Sequence, residues 1–187
     1  LIRVGLDGHV SLVREGVHFP NGCTLDADGR QLVVAESFGN RLSAYDVASD
    51  GSLGDRTDWA AFGPLPQSAN LDARFSELVV AADGISRPDA DGAIWVADFT
   101  KDRAFRVKPG GEILDTVTTA DGHACYCAAL GGSDGRTLYL CVAPFDYDPA
   151  LHAGLGTIQA LRVDVPTAGR PTDAGPDART VVEDPAR

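Results

Sequence analysis

CTLDADGRQLVVAES, residues 23–37, is the stretch on which the fold turns. An apolar approach runs into Asp28-Gly29, and a short strand rich in β-branched residues follows. Glycine supplies the positive φ that a tight turn between antiparallel strands needs, so the stretch reads as a hairpin. It recurs. ISRPDADGAIWVADF (85–99) and AALGGSDGRTLYLCVA (128–143) carry the same succession. After the first two, a polar loop leads to another strand, NRLSAYDV (40–47) or DRAFRVKP (102–109). A second turn comes next, at Asp50-Gly51 or Gly110-Gly111, and then a further strand such as EILDTV (112–117). Each unit therefore holds four strands.

The Asp-Gly turns at 28, 91 and 134 are spaced by 63 and 43 residues. A four-stranded repeat of roughly 40–50 residues is the size of a propeller blade. The longer spacing contains GPLPQSANLDARFS (63–76), a polar, irregular segment that reads as an insertion between blades. LIRVGLDGHVSLV (1–13) fits the last two strands of a blade. The sequence thus predicts an all-β chain of about three and a half propeller blades over 1–165. The divisions are a half blade at 1–16, a blade plus insertion at 17–76, and blades at 77–118 and 119–165. A loose stretch with Pro166, Pro171, Pro176 and Pro185 then fills 166–187, and no helix of useful length is expected. Leu1 opens directly into strand-like sequence, so the chain reads as a portion of a propeller whose N-terminal blades lie outside it.

The bulk properties narrow the function. A chain of 187 residues can build one domain with a core. Its net charge of −11 argues against a nucleic-acid surface, which needs a basic patch. No run approaches the roughly 18 apolar residues of a membrane helix, and no membrane partner is expected. Cys23, Cys125, Cys127 and Cys141 have apolar neighbours and read as buried, reduced thiols acting as small hydrophobes. Cys125-Tyr126-Cys127 is not the spacing of a zinc or redox motif. Reduced thiols lean towards a cytoplasmic location.

The zinc-protease, P-loop and dinucleotide-binding signatures are absent. The DxDG strings at 26–29 and 89–92 hint at a calcium loop, but Thr24 and Arg87 stand where the EF-hand needs its first Asp. More telling is what precedes each blade's first strand: Asn21-Gly22 in one unit and Asp83-Gly84 in the next. The first strand of a propeller blade lines the central channel, so residues at its start converge on the axis. An Asn and an Asp there offer one neutral and one anionic oxygen, hard donors suited to calcium, magnesium or manganese, with zinc possible. Both also read as ordinary turn-makers.

HFPNGCTLDADGRQLVVAESFGNRLSAYDV and ADGISRPDADGAIWVADFTKDRAFRVKPGGEILDTV resemble the gluconolactonase/regucalcin (SMP-30-like) family of six-bladed β-propellers. CAALGGSDGRTLYLCVA resembles the segment that follows in the same family, and the likeness runs over about residues 1–165. The resemblance implies a metal-dependent hydrolase that opens sugar lactones, with a divalent cation (calcium, or zinc, magnesium or manganese) held by a Glu, an Asn and an Asp. Asn21 matches the Asn ligand and Asp83 the Asp ligand, with Asp83 also the acceptor of the attacking water's proton. The family's Glu ligand, and an Arg and an Asn that contact substrate, lie near its N-terminus, outside this chain; Glu15 and Glu36 do not match that Glu. Ala82 stands where the family usually has Pro. Asp83 is eight residues before its turn Asp91, whereas Asn21 is seven before Asp28.

A small-molecule lactone is the expected partner. The alternative is a non-catalytic calcium- or partner-binding propeller, or an inactive truncated remnant. His18 and His123 stand near the channel mouth as possible substrate contacts or ordinary loop histidines. Glu36 and Asp98 end the second strands of their blades and read as solvent-facing or loop-capping. Trp59 and Trp95 read as packing residues.

Overall fold

The computed structural model describes residues 1–119, 123–145 and 154–169. These form a partial β-propeller of four antiparallel sheets. Strands β1 (Ile2–Val4) and β2 (Val10–Leu12) make a two-stranded sheet. The next sheet has the order β3 (Pro20–Leu25), β4 (Gln31–Glu36), β5 (Arg41–Asp46), β6 (Thr57–Ala61). The third runs β7 (Ala82–Ile85), β8 (Ile94–Asp98), β9 (Arg103–Val107), β10 (Ile113–Thr118). The last holds β11 (His123–Gly131), β12 (Thr137–Pro144) and β13 (Thr157–Arg162).

The first acid of each DxDG string staples its own hairpin. Asp26 Oδ1 accepts from the Arg30 and Gln31 amides at 2.6 and 3.1 Å, and Gly29 sits at φ 71°. In the next blade Asp89 Oδ1 accepts from the Asp91 and Ala93 amides at 2.9 and 3.0 Å, and Gly92 sits at φ 79°. Asp89 is buried and is also held by Arg106 Nε at 2.6 Å. These acids serve turns, as short polar side chains commonly do.

The core lies between the sheets. All five residues of β8 are buried, and strand alternation splits them between two neighbours. Ile94 and Val96 join Val33, Leu42, Trp59 and Phe105 on one side. Trp95 and Ala97 join Cys125, Leu138, Leu140 and Val142 on the other. Both tryptophans are thus packing residues, as the sequence predicts.

Two stretches expected to be irregular are more ordered. Residues 71–76 of the insertion form a short helix, α1 (Leu71–Ser76), whose first turn is capped by Asn70 Oδ1 accepting from the Ala73 amide at 3.1 Å. Buried Asn40 ties the insertion down. Its amide donates to the carbonyls of Pro64 and Glu77 at 2.8 and 3.0 Å, and its oxygen accepts from the Val79 and Val80 amides. The start of the Pro-rich stretch is also held: the Ala90 amide donates to Pro166 at 2.8 Å, and the Thr167 and Ala168 amides donate to Gly135 and Pro88. Residues 170–187 lie outside the described residues. Among the described residues no helix is long and apolar enough to cross a membrane.

Candidate functional site

The same irregularity marks the inner strand of every blade. β3 slips register against β4 between Pro20 and Cys23, so Asn21 and Gly22 have no partner in the ladder. β7 slips against β8 between Ala82 and Ile85, leaving Asp83 and Gly84 unpartnered. β11 slips against β12 between Cys125 and Cys127, leaving Tyr126. A bulge of this kind bends the strand and re-aims a side chain away from the regular alternation.

The glycines after Asn21 and Asp83 are not turn residues. A Cβ on Gly22 would lie 2.6 Å from both the Asp83 carbonyl oxygen and the Ile85 nitrogen. A Cβ on Gly84 would lie 2.7 Å from Cys127 Cα and 2.8 Å from the Tyr126 carbonyl oxygen. Each glycine lets one inner strand press its backbone onto the next, which no larger residue allows. The structure therefore sets Asn21, Asp83 and Tyr126 at equivalent bulges on three successive, directly packed strands.

Asp83 is half-buried, and among the described residues its carboxylate has no hydrogen-bond donor and no paired cation. Burial alone pushes its pKa from 3.8 to about 6. Burial also pushes up the Tyr126 hydroxyl and the Cys127 thiol, and the nearby Asp83 charge adds to both. Cys125 is pushed to about 12, chiefly by burial. Asn21 is exposed, and its side chain makes no hydrogen bond among the described residues. An unpaired, desolvated carboxylate on one bulge and an amide oxygen on the next are the types of hard donor that a divalent cation takes. Among the described residues no cluster of three or more His, Cys, Asp or Glu could hold a metal ion.

Tyr126 is the site residue that the sequence reading misses. The signal was present: Tyr126 stands eight residues before Asp134, as Asp83 stands eight before Asp91. Its hydroxyl donates to the Pro144 carbonyl at 3.4 Å. His18 and His123 both lie at the mouth end. The His18 amide donates to Glu36 Oε2 at 2.8 Å, and the His123 carbonyl accepts from the Thr119 hydroxyl.

Glu36 and Asp98 do not face solvent; both are fully buried. They cap loops from inside. Asp98 accepts from the Ala81 amide at 3.1 Å and from Arg103 Nε and Nη2 at 3.0 and 2.9 Å. Burial alone would raise the Glu36 carboxyl, but donors from the Ser43 hydroxyl, the His18 amide and Arg41 outweigh it and hold the pKa below 4.5. Two of the four thiols also depart from expectation: all are free, but Cys23 and Cys141 are exposed. They sit on β3 and β12, on positions that no further sheet covers among the described residues. Residues 131–135, GGSDG, spell the letters of a nucleophile elbow, yet they form the β11–β12 turn with Gly132 at φ 83° and Gly135 at φ 71°. That chemistry needs a strand-to-helix turn, whereas here strand β12 follows the turn.

Comparison with known proteins agrees with this architecture. A 6-deoxy-6-sulfogluconolactonase from Pseudomonas putida is 25 % identical over 182 residues, covering 94 % of this chain and 56 % of that protein. A luciferin-regenerating enzyme of known structure superposes with a TM-score of 0.68 at 21 % identity, over 89 % of this chain and 52 % of that one. Regucalcin, a calcium-binding protein from Agrobacterium tumefaciens, superposes with a TM-score of 0.64 at 18 % identity, over 88 % of this chain and 52 % of that one. The chain spans about half the length of these relatives. The profile of the SMP-30/Gluconolactonase/LRE-like region matches residues 1–144, and the chain belongs to that family.

Proposed function

We propose that this chain carries part of the active site of a divalent-cation-dependent hydrolase that opens sugar lactones. Asn21 and Asp83 are the cation's ligands from this chain, and Asp83 is also the catalytic base. The observation that carries the reading is Asp83 itself, a half-buried carboxylate with no partner among the described residues, on a bulge next to the one that holds Asn21. Family membership adds the reaction class. A cation held there would polarise the lactone carbonyl and stabilise the developing oxyanion. Asp83 has two carboxylate oxygens, so ligation by one leaves the other to take the proton of the attacking water. The cation would lower the carboxylate's own basicity, so Asp83 would serve as base because the same cation would also acidify the attacking water. Asn21 orients through its amide oxygen and takes no proton. Four free cysteines support a cytoplasmic compartment, where thiols stay reduced.

The test is hydrolysis of a panel of sugar lactones with calcium, manganese, magnesium or zinc added. Turnover should require the cation, and Asp83→Ala should lower kcat by about 100-fold or more. Unchanged hydrolysis in Asp83→Ala would remove Asp83 from the mechanism. Cation-induced thermal stabilisation without turnover would leave a binding module and defeat the enzymatic reading.

A further inference from the structure

Five of the seven phenylalanines gather at one end of the molecule. Phe19 packs edge-on to Phe38 with ring centroids 5.1 Å apart, and Phe38 packs on Phe75 of α1 at 5.5 Å. Phe75 meets Phe99 at 6.3 Å, and Phe99 stacks on Tyr126 at 6.4 Å and on Phe145 at 6.1 Å. The row crosses the three larger sheets. Its middle rings are half-buried, while Phe19 and Phe145 at its ends are 58 % and 49 % exposed. The remaining two phenylalanines, Phe62 and Phe105, pair inside the core and account for none of it.

This end is the one that holds Asn21 and Asp83. Pro20 pairs with Glu36, Ala82 with Asp98, and His123 with Pro144, so the starts of the inner strands lie beside the β4–β5 and β8–β9 turns and the end of β12. Phe99 and Phe145 directly follow Asp98 and Pro144, and Phe38 stands two residues after Glu36. The Phe38 amide donates to the His18 carbonyl and the Phe99 amide to the Ala81 carbonyl, both at 3.3 Å. Phe19 lies two residues before Asn21, Phe99 is bonded two residues before Asp83, and Tyr126 feels the Asp83 charge.

Phe19 adds a separate sign of function. Its φ is 56°, in the left-handed region where a bulky residue is an outlier. The strain is held by the Ser37 amide donating to the Phe19 carbonyl at 3.1 Å, and the result is an exposed ring beside Asn21. Strain of this kind gathers where a side chain must be presented to a ligand.

We infer that the aromatic row is a substrate platform, and that the lactone taken by this site bears an apolar arm extending from the ring that is opened. The inference rests on the proposed function, and it names the substrate class. Each step along the row is about one ring wide, so the row is several rings long. A bare sugar lactone would cover one of those rings. An alkyl or aryl arm would lie along it, removing apolar surface from water on both partners.

Binding and turnover can be read separately. Calorimetry with lactams carrying alkyl chains of increasing length needs no hydrolysis. Affinity should rise about threefold to fourfold per methylene over the first several carbons. Phe99→Ala, at the junction of the row, and Phe145→Ala, at its exposed end, should each flatten that slope. In parallel, kcat/KM for alkyl-substituted lactones, relative to gluconolactone, should climb with the same chain length. A flat lactam series in the unaltered protein, or a slope that both variants leave intact, overturns the inference. Gluconolactone hydrolysis with a flat series removes the platform and keeps the proposed function. A steep lactam series with no lactone opened keeps the platform and removes the proposed function.

Discussion

Asp83 is an acid that the fold keeps at its own expense. Desolvation raises its pKa to about 6, and no described donor or cation offsets the effect. The sign is fixed by linkage. A carboxyl whose folded pKa exceeds its unfolded value contributes stability that is full below pH 3.8 and lost as the pH rises through about 6. Above that range the metal-free protein carries an ionised group that it solvates poorly. Asp83→Asn removes the charge at nearly constant shape. It should raise the Tm of the metal-free chain at pH 8 by roughly 2–4 °C, and the gain should vanish by pH 4. With a saturating divalent cation the order should reverse, because only the natural residue is stabilised by mass action. Differential scanning fluorimetry at both pH values, with chelator and with calcium, measures all four states. Equal Tm values in chelator at pH 8 would mean that Asp83 is adequately solvated and not poised for a cation.

Two structural elements repeat a buried device that links the inner strands to the loops at the mouth. Glu36 and Asp98 each end a second strand, and each pairs with the Arg five residues on, Arg41 at 3.2 Å and Arg103 at 2.9 Å. The residue before each Arg, Asn40 or Asp102, adopts positive φ, 52° or 50°, which these short polar side chains tolerate. The acids then reach back to amides ahead of β3 and β7, through His18 and Ala81. Glu36→Gln should cost about 3 kcal/mol at neutral pH, since it leaves Arg41 facing a neutral amide in a dry site. The Glu36 pKa is depressed, so its stabilisation is present above pH 4.5 and is lost as the pH falls through its folded value. The gap between natural protein and variant should therefore close in acid. Urea titrations at several pH values between 3 and 7 test it, and a gap that stays constant down to pH 3 would show that Glu36 is not held ionised. The acid-to-Arg spacing was visible in the aligned repeats, but polar residues at the end of a strand ordinarily read as exposed. Only the burial of the loop makes the pair a staple.

The whole molecule shows which parts of the sequence are readable. The hairpins were legible because turn glycines and strand alternation are local signals, recorded within some fifteen residues each. Asn21 and Asp83 were legible as a candidate pair because each stands before a glycine at the start of an equivalent inner strand. Tyr126 left only the faint signal of its eight-residue offset from Asp134, and the aromatic row left none, since it arises from packing between blades, where neighbours are up to 46 residues apart, as Phe99 and Phe145 are. The same inter-blade packing governs how the chain behaves in solution. The third sheet is packed by a neighbouring sheet on each face, whereas among the described residues the outer sheets are not. In β1–β2, Ile2 pairs with Leu12 and Val4 with Val10, which sets four apolar side chains on one face, each 56–68 % exposed. At the other edge Ile158 of β13 is 73 % exposed and Leu155 before it 47 %. Contiguous apolar surface of this kind, bordered by free strand edges, drives association in water. The 187-residue chain should therefore gain mass with concentration in multi-angle light scattering across the micromolar range. Val4→Lys with Val10→Lys places two charges in the β1–β2 face without touching a core residue. That variant should move the population towards monomer while leaving the far-UV spectrum unchanged. A chain that stays monomeric at every concentration, with or without the lysines, would show that these faces are too small to hold a second surface.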